Sequence, residues 1–168
     1  MTKEELIQLL KNYRENVAKL KLREKEKNYY RRKLKSLGKK SNIENEISIS
    51  SNMGINSGIR SKNNVSDKVG NFVATNLDKI EEDKKEYKEK ITEINKEIED
   101  LNEKIEEAEI RLNSLYYKER EILSAYYVEN RTAEDISQNL YFRLFNRTCS
   151  ARYVRDIITK NTNKILKL

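Results

Sequence analysis

The chain has 168 residues, 38% of them charged and 36% hydrophobic, with a formal net charge of +7. That is too polar for one large globular core, ordinary for long helices, and favourable to a polyanionic partner. With no His and one Cys, Cys149, the usual zinc sites, Ser-His-Asp and Cys-His catalysis and an internal disulfide are all excluded.

A lone Cys fits a reducing cytoplasm. No apolar run approaches the ~20 residues of a membrane span, and the start MTKEELIQLL lacks a signal-peptide pattern. A cytoplasmic protein with no membrane partner is therefore expected. The acids fall on solvated helix faces with no paired carboxylates in a plausible pocket. No catalytic residue, cofactor or metal is expected, and the chain does not read as an enzyme.

The first element is a helix from Lys3 to about Leu37. Thr2 and Glu5 form a capping box. Leu6, Leu10, Tyr13, Val17 and Leu20 recur at four and three residues, a coiled-coil seam. The seam lapses at Glu24 and Lys27 and resumes at Tyr30, Leu34 and Leu37. Gly38 followed by two Lys suits a helix end. Residues 1–40 hold 14 Lys/Arg against 5 Asp/Glu, a net +9.

Residues 39–66 are rich in Ser and Asn and read as a connector. The alternation ISIS allows a brief strand. The sequence GINSG lacks the Lys and flanking strand of a phosphate-cradling loop.

Residues 67–115 read as a long acidic helix, with Ser66 as its cap. Its seam runs Leu77, Ile80, Lys84, Tyr87, Ile91, Ile94, Ile98, Leu101, Ile105, Ala108, Leu112, Leu115, with only Lys84 out of character. More than four heptads of this spacing are a strong coiled-coil signal. Residues 77–115 hold 8 Lys/Arg against 14 Asp/Glu, a net −6. Opposite charge predicts that the two helices pair, folding back within one chain or exchanging between two. The longer second helix leaves seam to spare, which points to a homodimer.

Residues 116–168 carry a net +4 and read as a helix-turn-helix unit. Ile122, Leu123, Tyr126 and Tyr127 mark one buried face, which Asn130 and Arg131 end. Thr132, with Asp135 three residues on, opens a second helix carrying Ile136 and Leu140. Ser150 caps a third helix whose inward face is Val154, Ile157 and Ile158, continued by Ile165 and Leu168. Its other face would meet base edges through Ser150, Ala151, Arg152, Arg155 and Thr159, since Arg can reach guanine bidentately. Arg131, Thr132, Arg143, Arg147 and Lys160 would grip phosphates. Cys149 reads as a small half-buried turn residue.

The runs KEREIL, TAEDISQNL and SARYVRDI together resemble region 4 of bacterial sigma factors. They also resemble the related domain of phage-encoded, sigma-like regulators of the ArpU type. The motifs cover about the last third of the chain. The resemblance implies sequence-specific binding of double-stranded DNA, regulation of phage or prophage genes, and contact with RNA polymerase. The family's turn is usually short. Here YFRLFNRTC stands between Leu140 and Ser150, so the second helix is expected to run on or add a helical turn.

The expected fold is thus all-α, a long coiled-coil helical hairpin (1–38, connector 39–66, 67–115) followed by a small helix-turn-helix bundle (116–168). Two other functions fit these elements: a small terminase-like DNA-packaging component, which would form rings, and a structural coiled-coil adaptor.

Overall fold

A computed structural model describes the backbone of residues 1–53 and 65–168 and the side chains of residues 1–39 and 76–168. The fold is all-α, with no strand among the described residues. Helix α1 spans Lys3–Met53 and α2 spans Val65–Asn113. Helix α3 comprises Tyr117–Leu123 and a wider π-helical turn, Ser124–Val128. Helix α4 comprises Ala133–Asp135, the π-helical turn Ile136–Leu140 and Tyr141–Phe145. Helix α5 is Ala151–Leu166.

Two boundaries differ from the sequence expectation. Helix α1 does not stop at Gly38 but continues to Met53, so the ISIS stretch is helical rather than a strand. No Pro interrupts it, and Gly38 does not adopt a positive φ. One Gly costs a helix only about 1 kcal/mol, which by itself does not end it. Helix α2 begins at Val65, one residue before the expected cap Ser66. The rest of the expected connector, 54–64, lies outside the described residues.

The chain divides into two compact units, residues 23–97 and residues 1–22 with 98–168. In the first, α1 and α2 run antiparallel. Arg23 Nε meets Glu97 at 2.6 Å, and further along α1 the Tyr30 ring lies 5.8 Å from that of Tyr87, earlier on α2. Lys90 sits over the Tyr30 ring at 5.5 Å. Where the α1 seam lapses at Glu24, Arg23 takes over by bonding both Glu26 and Glu97. Leu37, Ile80 and Ile94 are buried, as the seams predict.

In the second unit, the first helical turns of α1 are part of the core. Leu6 and Leu10 are 0% exposed and join one cluster with Ala108, Leu112, Ile122, Ile136, Val154 and Ile165. The expected capping box forms: the Thr2 N–H donates to Glu5 Oε2 at 2.7 Å, and the Glu5 N–H to Thr2 Oγ1 at 3.2 Å. The Tyr13 hydroxyl donates to Glu109 on α2 at 2.6 Å. That bond first, then burial, pushes its pKa up to about 12. The Arg111 guanidinium, held by Glu107, donates to the Ile165 carbonyl at 2.8 Å and so satisfies a carbonyl in the last turn of α5. The last helical turns are thereby tied both to α2 and to the start of the chain.

Candidate nucleic-acid interface

Three helices and two tight turns build the C-terminal part of this unit. Helix α3 ends at Val128, and two residues on the φ of Asn130, 56°, is left-handed, a conformation Asn tolerates. The Arg131 N–H then donates to the Ala125 carbonyl at 3.0 Å, and Thr132 Oγ1 accepts from the Asp135 N–H at 3.2 Å, starting α4. Helix α4 runs on through the extra aromatic residues to Phe145 and stops at Asn146, again left-handed with φ 52°. Tyr141 is buried and stacks on Phe145, with ring centroids 4.4 Å apart. Ser150 Oγ accepts from the Tyr153 N–H at 3.2 Å and starts α5. Asn146–Ser150 are thus the whole turn between the second and third helices, although the sequence places YFRLFNRTC there.

Helix α5 divides into two faces. Val154, Ile158, Asn161, Thr162 and Ile165 are buried. Thr162 Oγ1 donates to the Ile158 carbonyl at 2.8 Å and lies 3.2 Å from the Tyr127 hydroxyl, which locks α5 to α3. Leu168, expected to continue this face, is instead 70% exposed because the helix ends at Leu166. The outward face carries Arg152, Asp156, Thr159 and Lys160, all exposed.

The expected contact residues fall into three groups. Arg143, Arg147, Arg152 and Lys160 are exposed and, among the described residues, have no ion-pair partner. Thr159 is exposed beside them. Ser150 and Thr132 spend their hydroxyl oxygens on caps, and Ala151 is half-buried against the core. Arg131 and Arg155 are engaged with acids. Arg131 bonds Asp135 and lies 3.8 Å from Glu129. The Arg131 bond, helped by one from Asn139, holds the Asp135 carboxyl below its usual range. Arg155 pairs with Glu134 across the α4–α5 junction, and both line a cleft of about 550 Å³ that Lys11 of α1 also borders.

Asp156 was not singled out by sequence reasoning. It lies one turn beyond Arg152 on the same exposed stripe, a position the i, i+4 spacing reveals. An acid there can accept a hydrogen bond from the cytosine amine. Cys149 is half-buried, and burial pushes its thiol pKa up, away from the reactive range. No cluster of His, Cys, Asp or Glu among the described residues is arranged to hold a metal. No helix among them is long and apolar enough to cross a membrane.

The site therefore defines an all-helical protein with two capped helices across a five-residue turn, the second presenting Arg152, Asp156, Thr159 and Lys160 on its exposed face. The chain matches no protein-family model, no curated protein and no solved structure.

Proposed function

We propose that the chain is a sequence-specific, double-stranded DNA-binding transcriptional regulator of phage or prophage genes. The observation that supports this reading best is the division of α5. Its inward face is locked by Val154, Ile158 and Ile165, while Arg152, Thr159 and Lys160 stand exposed on the other. A helix that enters the major groove needs both properties. In this reading Arg152 meets a base edge, and Arg143, Arg147 and Lys160 meet phosphates. Arg155 reaches DNA only when its exposed pair with Glu134 opens, so its first role is to set the angle of α5 on α4. Arg131 holds the start of α4 rather than a phosphate.

The resemblance to sigma region 4 extends the proposal to contact with RNA polymerase. Leu22 and Ile110, exposed on the long helices, support a homodimer. The seam of α2 leaves nothing to spare, because α1 is as long as α2 and each seam position from Leu77 to Leu115 is buried or half-buried within one chain. Two copies would read two half-sites. The alternatives predict other assemblies: rings for a packaging component, no DNA affinity for an adaptor.

Duplex binding titrated against salt tests the proposal. The affinity should fall steeply as salt rises, and Arg143→Ala and Arg147→Ala should each lower the slope by about one without changing sequence preference. A chain that binds no duplex at low salt is not a DNA-binding regulator.

A further inference from the structure

A second cleft, of about 580 Å³, lies between the start of α3, the end of α4 and the outer side of α5. That volume is within the usual range for small ligands, roughly 300–1,000 Å³. Its wall is aromatic. Tyr141 and Phe145 stack at 19° between ring planes, and Tyr153 meets Tyr141 edge-on with centroids 6.0 Å apart. Tyr117 and Tyr153 are 59% and 50% exposed, leaving ring surface open. Two cations line the same cleft, Lys118 and Lys160, with Lys118 Nζ 4.6 Å from the Phe145 ring centroid, and the one acid in its lining, Glu119, is paired with Lys164 at 3.2 Å.

The unexplained group is Asn161. It lines this cleft, is 1% exposed, and its Oδ1 has no hydrogen-bond partner among the described residues. It occupies a position on the inward face of α5 where the spacing from Val154 and Ile158 calls for an apolar residue. An unpartnered buried acceptor destabilises the fold, and a hydrophobic side chain of similar size would not. Such a group is informative when it borders a cavity, because a ligand can supply the missing donor.

The cleft thus offers three things together: flat aromatic surface, a buried acceptor and a cationic rim. We propose that it binds a nucleobase with an exocyclic amine, together with the attached phosphate. The base lies against the aromatic wall, as bases stack on aromatic side chains elsewhere. Its amine donates to Asn161 Oδ1, and the phosphate meets Lys118 and Lys160. A tryptophan side chain would satisfy the aromatic wall and the acceptor but brings no anion for the two lysines. The same chemistry has two sources, a free nucleotide or a base in a single strand. The proposal does not rest on duplex recognition, and Arg152 takes no part in it.

Calorimetric titration of the full chain tests it with AMP, with N6,N6-dimethyl-AMP and with single-stranded oligo-dA. The dimethyl compound keeps the ring and the phosphate and loses the donor. Saturable binding of AMP that weakens at least about ten-fold for the dimethyl compound supports the site. Asn161→Leu should weaken AMP by a similar factor, reduce the difference between the two nucleotides, and melt no lower than wild type. Binding of oligo-dA but not AMP, with the same dependence on Asn161, supports the site and assigns the source as a strand. No saturable binding of either, or equal binding of AMP and its dimethyl analogue by the wild-type chain, overturns the proposal. So does an Asn161→Leu chain that binds AMP as wild type does.

Discussion

Replacing Leu6 or Leu10 by Ala tests how the first residues of the chain hold the last helix. Both side chains are 0% exposed, and both belong to the cluster that contains Val154, Ile158 and Ile165. Alanine is the best helix former, so α1 itself is not weakened and the cost is one of packing. Each substitution removes three carbon groups, worth about 0.8 kcal/mol apiece, and leaves part of a cavity. The expected cost is about 3 kcal/mol for each, against a total stability of about 5–15 kcal/mol for an ordinary domain. The two residues are one turn apart and share neighbours, so the double substitution should depart from the sum of the singles. Urea unfolding followed by helical circular dichroism gives the free energies. Amide hydrogen exchange at Ile158 and Ile165 shows whether α5 responds to changes so distant in sequence. Leu22→Ala is the control, since Leu22 is 63% exposed, and it should shift stability by less than about 0.5 kcal/mol. If Leu10→Ala costs no more than Leu22→Ala, or if exchange in α5 is unchanged, the first turns of α1 are not part of this core.

Three further outcomes are expected. Tyr13, whose pKa rises from 10.0 to about 12, stabilises the fold fully below pH 10 and loses that contribution as pH climbs toward 12. Tyr13→Phe should flatten stability across that window in an alkaline titration followed by circular dichroism. Thr132→Ala and Ser150→Ala each remove the side-chain acceptor of a helix start and should cost about 1 kcal/mol in urea unfolding. Gly38→Ala should stabilise by about 0.5–1 kcal/mol, because Gly38 is helical and an added Cβ meets nothing within 4 Å; a loss of stability would mean that the helix ends there.

The parts of this fold that local chemistry dictates can be read from the sequence. Every seam position from Leu77 to Leu115 is buried or half-buried, including Lys84, because a period sustained over many turns leaves one face to bury. The caps at Thr2, Thr132 and Ser150 form because each needs only a neighbour three residues on. What depends on tertiary register does not show. Nothing near Leu6 announces that it joins a core cluster with residues of α5, some 150 residues later. Arg155 reads as free until Glu134, 21 positions earlier, is placed beside it. By contrast, the i, i+4 spacing of Arg131 and Asp135 carries the signal of their pair, although Arg131 reads in the sequence as a phosphate contact. Asn161 sits on the inward face by its spacing from Val154 and Ile158, but its polarity disguised its burial. The aromatic run after Leu140 signalled a longer second helix, and Tyr141 and Phe145 show why: their rings cover the junction of α4 and α5.

Selection from random duplex DNA, with the wild-type chain beside the Arg152→Ala/Arg155→Ala double variant, tests the central claim most directly. An enriched motif that the double variant loses is the expected result, and a symmetric motif would mark two half-sites read by a dimer. A motif retained in full by the double variant would contradict base reading by α5. No enrichment, with only weak salt-dependent binding, would contradict sequence-specific regulation.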